Sequence, residues 1–128
     1  MIEAIIFDMG GVAIDSEDLW AEAYRRQLAK RGLEVPTTAS YHRFVNTHYR
    51  GRNQRHAIMM MQRLYGITAP YHLLYRERVK FLLSIFDKRL RLIPGIRGLL
   101  QKTSRRYPLA LASSSPHAVI QYVLKRYD

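Results

Sequence analysis

Apolar residues along the chain fall into two kinds of pattern. Ala4-Ile5-Ile6-Phe7 and Leu109-Ala110-Leu111-Ala112 are short unbroken runs, the first ending at Asp8 and two glycines, the second at Ser113-Ser114-Ser115. A run with no polar alternation suits a parallel strand covered on both faces. Elsewhere the apolar positions recur at helical spacing: Trp20, Ala23, Tyr24 and Leu28; Ala57, Met60, Met61, Leu64 and Tyr65; Tyr75, Val79, Leu82, Leu83 and Phe86. The same period predicts a short amphipathic helix through Ile96, Leu99, Leu100 and Thr103, and another with Val119, Ile120, Val123, Leu124 and Tyr127 on its buried face.

Punctuation agrees with this division. Ser16 is suited to cap the first helix and Gly32 to stop it, Pro36 opens a loop, Gly66 and Pro70 separate two further helices, and Pro116 sits where a first helical turn tolerates proline. The Met59-Met60-Met61 run reads as adaptable core filling. The resulting order is strand, helical insert, helix, strand, helix. Parallel strands need such crossovers, so the expected fold class is α/β.

The bulk properties narrow the picture. At 128 residues with 48% apolar content the chain has the size of one ordinary domain and enough material for a core. There is no internal repeat, low-complexity tract or flexible linker. No apolar run approaches the roughly 20 residues that span a bilayer, and no basic, apolar, small-residue leader stands at the start, so the reading is a soluble cytoplasmic protein. Cysteine is absent, which removes disulfides and thiolate metal sites. The net charge of +11 attracts nucleic acid, anionic membranes and phosphorylated metabolites alike. Its carriers are scattered pairs, Arg25/Arg26, Lys30/Arg31, Arg105/Arg106 and Lys125/Arg126, on the polar sides of predicted helices. That favours a solvated basic surface over nucleic-acid binding, with no membrane as partner.

Ligands of open parallel sheets bind outside the carboxyl ends of the strands. There Asp8 offers a carboxylate, Ser113 a hydroxyl and Ser114 a backbone N–H near a helix start, a natural phosphate ligand. Gly10 and Gly11 let the backbone turn sharply beside an anion. Taken singly these residues stay open: Asp8 serves equally as a turn carboxylate, Ser113 as a helix cap, and Asp15 as a hinge or cap. Arg52 is either a surface arginine or a ligand to a substrate anion. GGVAID departs from the G-x-G-x-x-G dinucleotide fingerprint, and the histidines at 42, 48, 56, 72 and 117 lack zinc-site spacing.

Together the motifs are more specific. IIFDMGGVAIDSE at 5–17 resembles the first signature of the haloacid dehalogenase superfamily, an apolar strand followed by DxDG, and LALASSSP at 109–116 resembles its second. LIPGI at 92–96 and RGRN at 50–53 are similar to the branch containing β-phosphoglucomutase and phosphoglycolate phosphatase. The resemblance implies a partial Rossmann-like core formed by residues 1–15 and 88–128, with an all-helical cap inserted as residues 16–87. It further implies Asp8 as the nucleophile that forms an aspartyl-phosphate, Ser113, Ser114 and Gly11 as phosphate ligands, and Arg52 as a substrate contact from the cap. The implied cofactor is Mg²⁺, held by Asp8 and the Gly10 carbonyl, and the implied substrate a small phosphorylated metabolite.

Two departures qualify these implications. Where the family's phosphatases and mutases carry an acid/base aspartate, two residues after the nucleophile, this chain has Gly10. General acid–base assistance contributes about 10²- to 10⁴-fold. The family's later lysine and acidic pair also have no counterpart before Asp128, so the expectation is a truncation, or a core completed by a second chain or a missing C-terminal half. Three readings follow: a phosphatase, a hexose-phosphate mutase against which Gly10 counts, and a non-catalytic phosphate-binding or interaction protein on a degenerate fold.

Overall fold

The computed structural model describes residues 1–48 and 53–127. Their elements, in order, are β1 (Ile5–Asp8), β2 (Ile14–Asp15), α1 (Glu17–Ala29), α2 (Thr38–His48), α3 (Gln54–Tyr65) and α4 (Tyr71–Arg89). Then come β3 (Arg91–Leu92), α5 (Ile96–Ser104), β4 (Leu109–Ala112) and α6 (His117–Tyr127). β1 and β4 pair in parallel, Ile5 opposite Leu109 through Asp8 opposite Ala112. The α/β class and the helical insert between the two principal strands are therefore as the apolar pattern implies.

A second pairing has no counterpart in that pattern. β2 and β3 are antiparallel, Ile14 opposite Leu92 and Asp15 opposite Arg91, and the Ile93 N–H extends the pair by donating to the Ala13 carbonyl at 2.9 Å. This clip ties the chain entering the insert to the chain leaving it. Asp15 lies within it. Ser16 precedes α1 without a side-chain cap bond, and α1 gives way to a hydrogen-bonded turn ending at Gly32, whose φ of 65° favours a residue without Cβ. Asn53 caps α3 by accepting the His56 N–H, and Gly66, at φ 62°, ends it.

Two apolar clusters hold the helices. Met9 and Ile14 of the first loop pack with Leu19 and Ala23 of α1, Leu82, Ile85 and Phe86 of α4, and Val119 and Val123 of α6. Tyr24 and Leu28 of α1 pack with Ile58 and Met61 of α3 and Leu74 of α4. Helices α1 and α4 run through both.

Full burial of the strands is not observed. Ile6 is 68% exposed and Leu111 36%, and neither strand contributes to the buried clusters. The helices of the main cluster gather around the loop after β1, and among the described residues nothing covers the Ile6 face of the two-stranded sheet. Individual helix positions differ from the periodic reading for the same reason: Leu64, Leu99 and Leu124 face outward because no described residue covers them, and of the methionine run Met61 is buried while Met59 is exposed.

Candidate functional site

Register builds the site. Because Asp8 stands opposite Ala112, the chain leaves both strands at the same level, and Ser113 emerges beside the Asp8 loop. The loop then closes tightly. The Ala13 and Ile14 N–H groups both donate to the Met9 carbonyl, and the Gly11 N–H donates to the Ile14 carbonyl at 2.9 Å. Gly11 occupies the left-handed region at φ 74°, the one place in this turn where a side chain would be strained. Met9 is buried beneath the turn and anchors it, leaving Asp8 exposed above. One Asp8 carboxylate oxygen, Oδ1, accepts the Met9 N–H at 2.7 Å.

The space above Asp8 is a cavity of about 200 Å³ lined by Asp8, Gly10, Ser16, Glu17, Trp20, Asn53, Gln54 and Ser113 to Ser115. Ser113 Oγ accepts the Ser115 N–H at 3.1 Å, which fixes the turn into α6 and leaves the hydroxyl proton available to an anion. Through Glu17, Trp20, Asn53 and Gln54 the cavity adjoins a second, of about 210 Å³, reaching Tyr24, Tyr41, His42, Asn46 and Arg78. The first chamber is polar and sits at the strand ends, while the second carries aromatic rings and lies under the helical insert. Tyr24 and Tyr41 pack at 5.0 Å between ring centres, and burial raises the Tyr41 phenol above its ordinary value, with Arg78 opposing.

Of the residues singled out in the sequence, Asp8, Gly10, Ser113 and Ser114 share the first chamber. Gly11 shapes the turn without lining it. Arg52 lies outside the described residues, as does most of the RGRN motif. Sequence reasoning missed Glu17, Trp20, Asn53 and Gln54, which bound both chambers. The only available signal was their position at the starts of α1 and α3, which says nothing about which way those starts face.

A family model for haloacid dehalogenase-like hydrolases matches residues 2–128. The chain belongs to this family. A phosphorylated carbohydrates phosphatase of Thermotoga maritima is 32% identical over 128 residues, covering 99% of this chain and 56% of that protein. A solved structure from the same organism, named as a candidate β-phosphoglucomutase, is 30% identical with a TM-score of 0.71, covering 98% of this chain and 56% of that one. CbbY from Rhodobacter sphaeroides, solved in complex with phosphate, matches in fold with a TM-score of 0.80 at 21% identity, again over 98% and 56%. The chain thus spans about half the length of the haloacid dehalogenase-like relatives it matches.

Haloacid dehalogenase-like hydrolases generally use Mg²⁺, and the donors here can be tested against such an ion. Among the described residues no three acidic or histidine side chains cluster to hold a metal. The described residues lining the Asp8 chamber include no histidine, and their donors are carboxylate, hydroxyl, amide and carbonyl oxygens. That set fits a hard cation that keeps several of its waters. Asp8 and Gly10 both line this chamber. No helix among the described residues is long and apolar enough to cross a membrane.

Proposed function

We propose that the whole protein is a Mg²⁺-dependent phosphatase acting on a small phosphorylated metabolite through an aspartyl-phosphate at Asp8. The observation that carries this reading is the convergence of Asp8, Ser113 and Ser114 at the in-register ends of β1 and β4 on one polar chamber. An Asp8 carboxylate oxygen attacks phosphorus, the P–O ester bond breaks, and water later cleaves the acyl phosphate. Splitting the displacement in this way replaces one difficult step by two easier ones. Mg²⁺ bound at Asp8 and Gly10 would offset the repulsion between carboxylate and phosphate. Ser113 and Ser114 bind the phosphoryl oxygens. Parts of the site outside this chain, including a cationic partner for the phosphoryl group, come from further chain or from a second subunit.

The 32% identical relative acts on phosphorylated carbohydrates by its name, and the aromatic second chamber suits the carbon skeleton of such a substrate. A hexose-phosphate mutase is the second enzymatic reading, and Gly10 weighs against it because returning the phosphoryl group also calls for acid–base help. Gly10 equally motivates a non-catalytic phosphate-binding role. Hydrolysis of p-nitrophenyl phosphate with Mg²⁺, abolished in Asp8→Asn, is the expected result. Phosphate binding without turnover or labelling of Asp8 would establish the non-catalytic role instead.

A further inference from the structure

Gly10 leaves the site without the usual acid/base side chain, and the structure shows which acid stands beside the same turn. A Cβ built on Gly10 would find only Ser16 Oγ within 4 Å, at 3.5 Å, so the space beside Gly10 is open. A Cβ built on Gly11 would meet Glu17 Oε1 at 3.6 Å. The Glu17 carboxylate therefore reaches back from the start of α1 to Gly11, the residue after Gly10. Glu17 lines both chambers. Among the described residues lining the Asp8 chamber, Asp8 and Glu17 are the only acids, and there is no histidine or lysine.

Glu17 is also uncommitted. A first-turn acid ordinarily complements the helix dipole. The other first-turn acid of α1, Asp18, is tied to His42 at 2.6 Å, whereas Glu17 has neither an ion pair nor a hydrogen bond from its side chain to another described residue. Helix complementation alone does not require its carboxylate to lie against the loop.

Resting on the phosphatase reading above, we propose that Glu17 takes over the acid/base role that Gly10 cannot fill. In the first step Asp8 bonds to phosphorus as the P–O bond to the alcohol breaks, and the Glu17 carboxylic acid gives its proton to the departing oxygen. In the second, the Glu17 carboxylate takes a proton from water as the water oxygen bonds to phosphorus. The P–O bond to Asp8 then breaks, restoring the Asp8 carboxylate and protonated Glu17. The sum is an alcohol and inorganic phosphate from ester and water.

The test compares wild type, Glu17→Gln, Gly10→Asp/Glu17→Gln and Asp8→Asn in the full-length protein with Mg²⁺, on p-nitrophenyl phosphate and on glycerol phosphate. The alkyl ester needs protonation of its leaving oxygen, whereas p-nitrophenolate departs without it. Glu17→Gln is expected to lose about 10²- to 10⁴-fold in kcat on glycerol phosphate. On p-nitrophenyl phosphate it should still release a burst of nitrophenol equal to the enzyme present, then stall with Asp8 phosphorylated. Gly10→Asp should restore the alkyl activity to Glu17→Gln, which a merely structural glutamate would not allow. Glycerol phosphate turnover within a few-fold of wild type in Glu17→Gln, or a rise confined to KM, overturns the role of Glu17 while leaving the phosphatase reading intact. A wild type that neither releases nitrophenol nor becomes labelled at Asp8 overturns both.

Discussion

The Arg78 Nε–H donates to Gln27 Oε1 at 2.6 Å, both side chains buried, and so joins α4 to α1 beneath the second chamber. Gln27 Nε2 donates in turn to the Leu74 carbonyl at 2.7 Å, and the Arg78 guanidinium lies 5.2 Å from the centre of the Tyr24 ring. Removing one member leaves a buried acceptor without its donor, which costs about 1–3 kcal/mol. Arg78→Met is therefore expected to destabilise the chain by about 2 kcal/mol. Urea unfolding of Arg78→Met, Gln27→Leu and the double variant checks this. The losses should not add, since the two residues share one network; strict additivity would show that they act separately.

Glu77 makes the stability depend on acid. Burial alone would raise its carboxyl, but hydrogen bonds from Arg31 and Lys30, each at 2.6 Å, and from Gln27 at 3.3 Å outweigh burial and hold it below its ordinary value of 4.5. A group whose folded value is depressed stabilises the fold fully above the unfolded value and loses that contribution as pH falls through the folded one. Glu77→Gln should thus be less stable than wild type at neutral pH and converge with it in acid. Urea midpoints measured from pH 7 down to about 3 follow the difference. A gap that stays constant over that range would remove Glu77 as its source.

Asn53 starts α3 and lines both chambers, so its two roles are separable. Its side chain accepts the His56 N–H at 3.2 Å. Loss of such a cap costs about 1 kcal/mol. Asn53→Ala should show that loss by urea unfolding, while Asn53→Ser, which keeps an acceptor, should recover most of it. Equal destabilisation by both would mean that α3 depends on packing alone at this end.

How much of this was legible in the sequence depended on whether a residue's role is local. The β1–β4 pairing followed from two apolar runs that end in polar residues, and the placement of Asp8 and Ser113 followed from the pairing. The β2–β3 clip was illegible because two residues per strand form no pattern. The helical pattern gave no sign of a buried Arg78, since its burial is decided by Gln27 and Tyr24 from another helix. Glu17 and Gln54 bound the site only because the insert folds back over the Asp8 loop, and helical spacing carries no information about that fold-back. The two-sided burial expected of the strands failed because an apolar run reports what a strand is suited to meet, and no described residue meets the Ile6 face.

The exposed apolar residues of this sheet yield the last prediction. Ile6 is exposed on one face, and on the opposite face, where register sets Leu111 beside Phe7, a groove along β4, α5 and α6 is lined by Leu100, Leu109, Leu111 and Val123. With only two strands in the sheet, unpaired strand edges add to the apolar surface. Contiguous apolar patches and open edges promote association. The 128-residue chain should therefore self-associate in light scattering, and Ile6→Thr with Leu111→Thr should reduce this. Threonine suits a strand, and substitution at an exposed position costs within about 0.5 kcal/mol, so the fold should persist. In the whole protein the same pair of substitutions distinguishes two situations. If further chain packs on Ile6, replacing buried apolar groups by hydroxyls should destabilise the protein by at least about 2 kcal/mol. If the face stays open, the cost should remain as small as in the 128-residue chain, and association should fall in both.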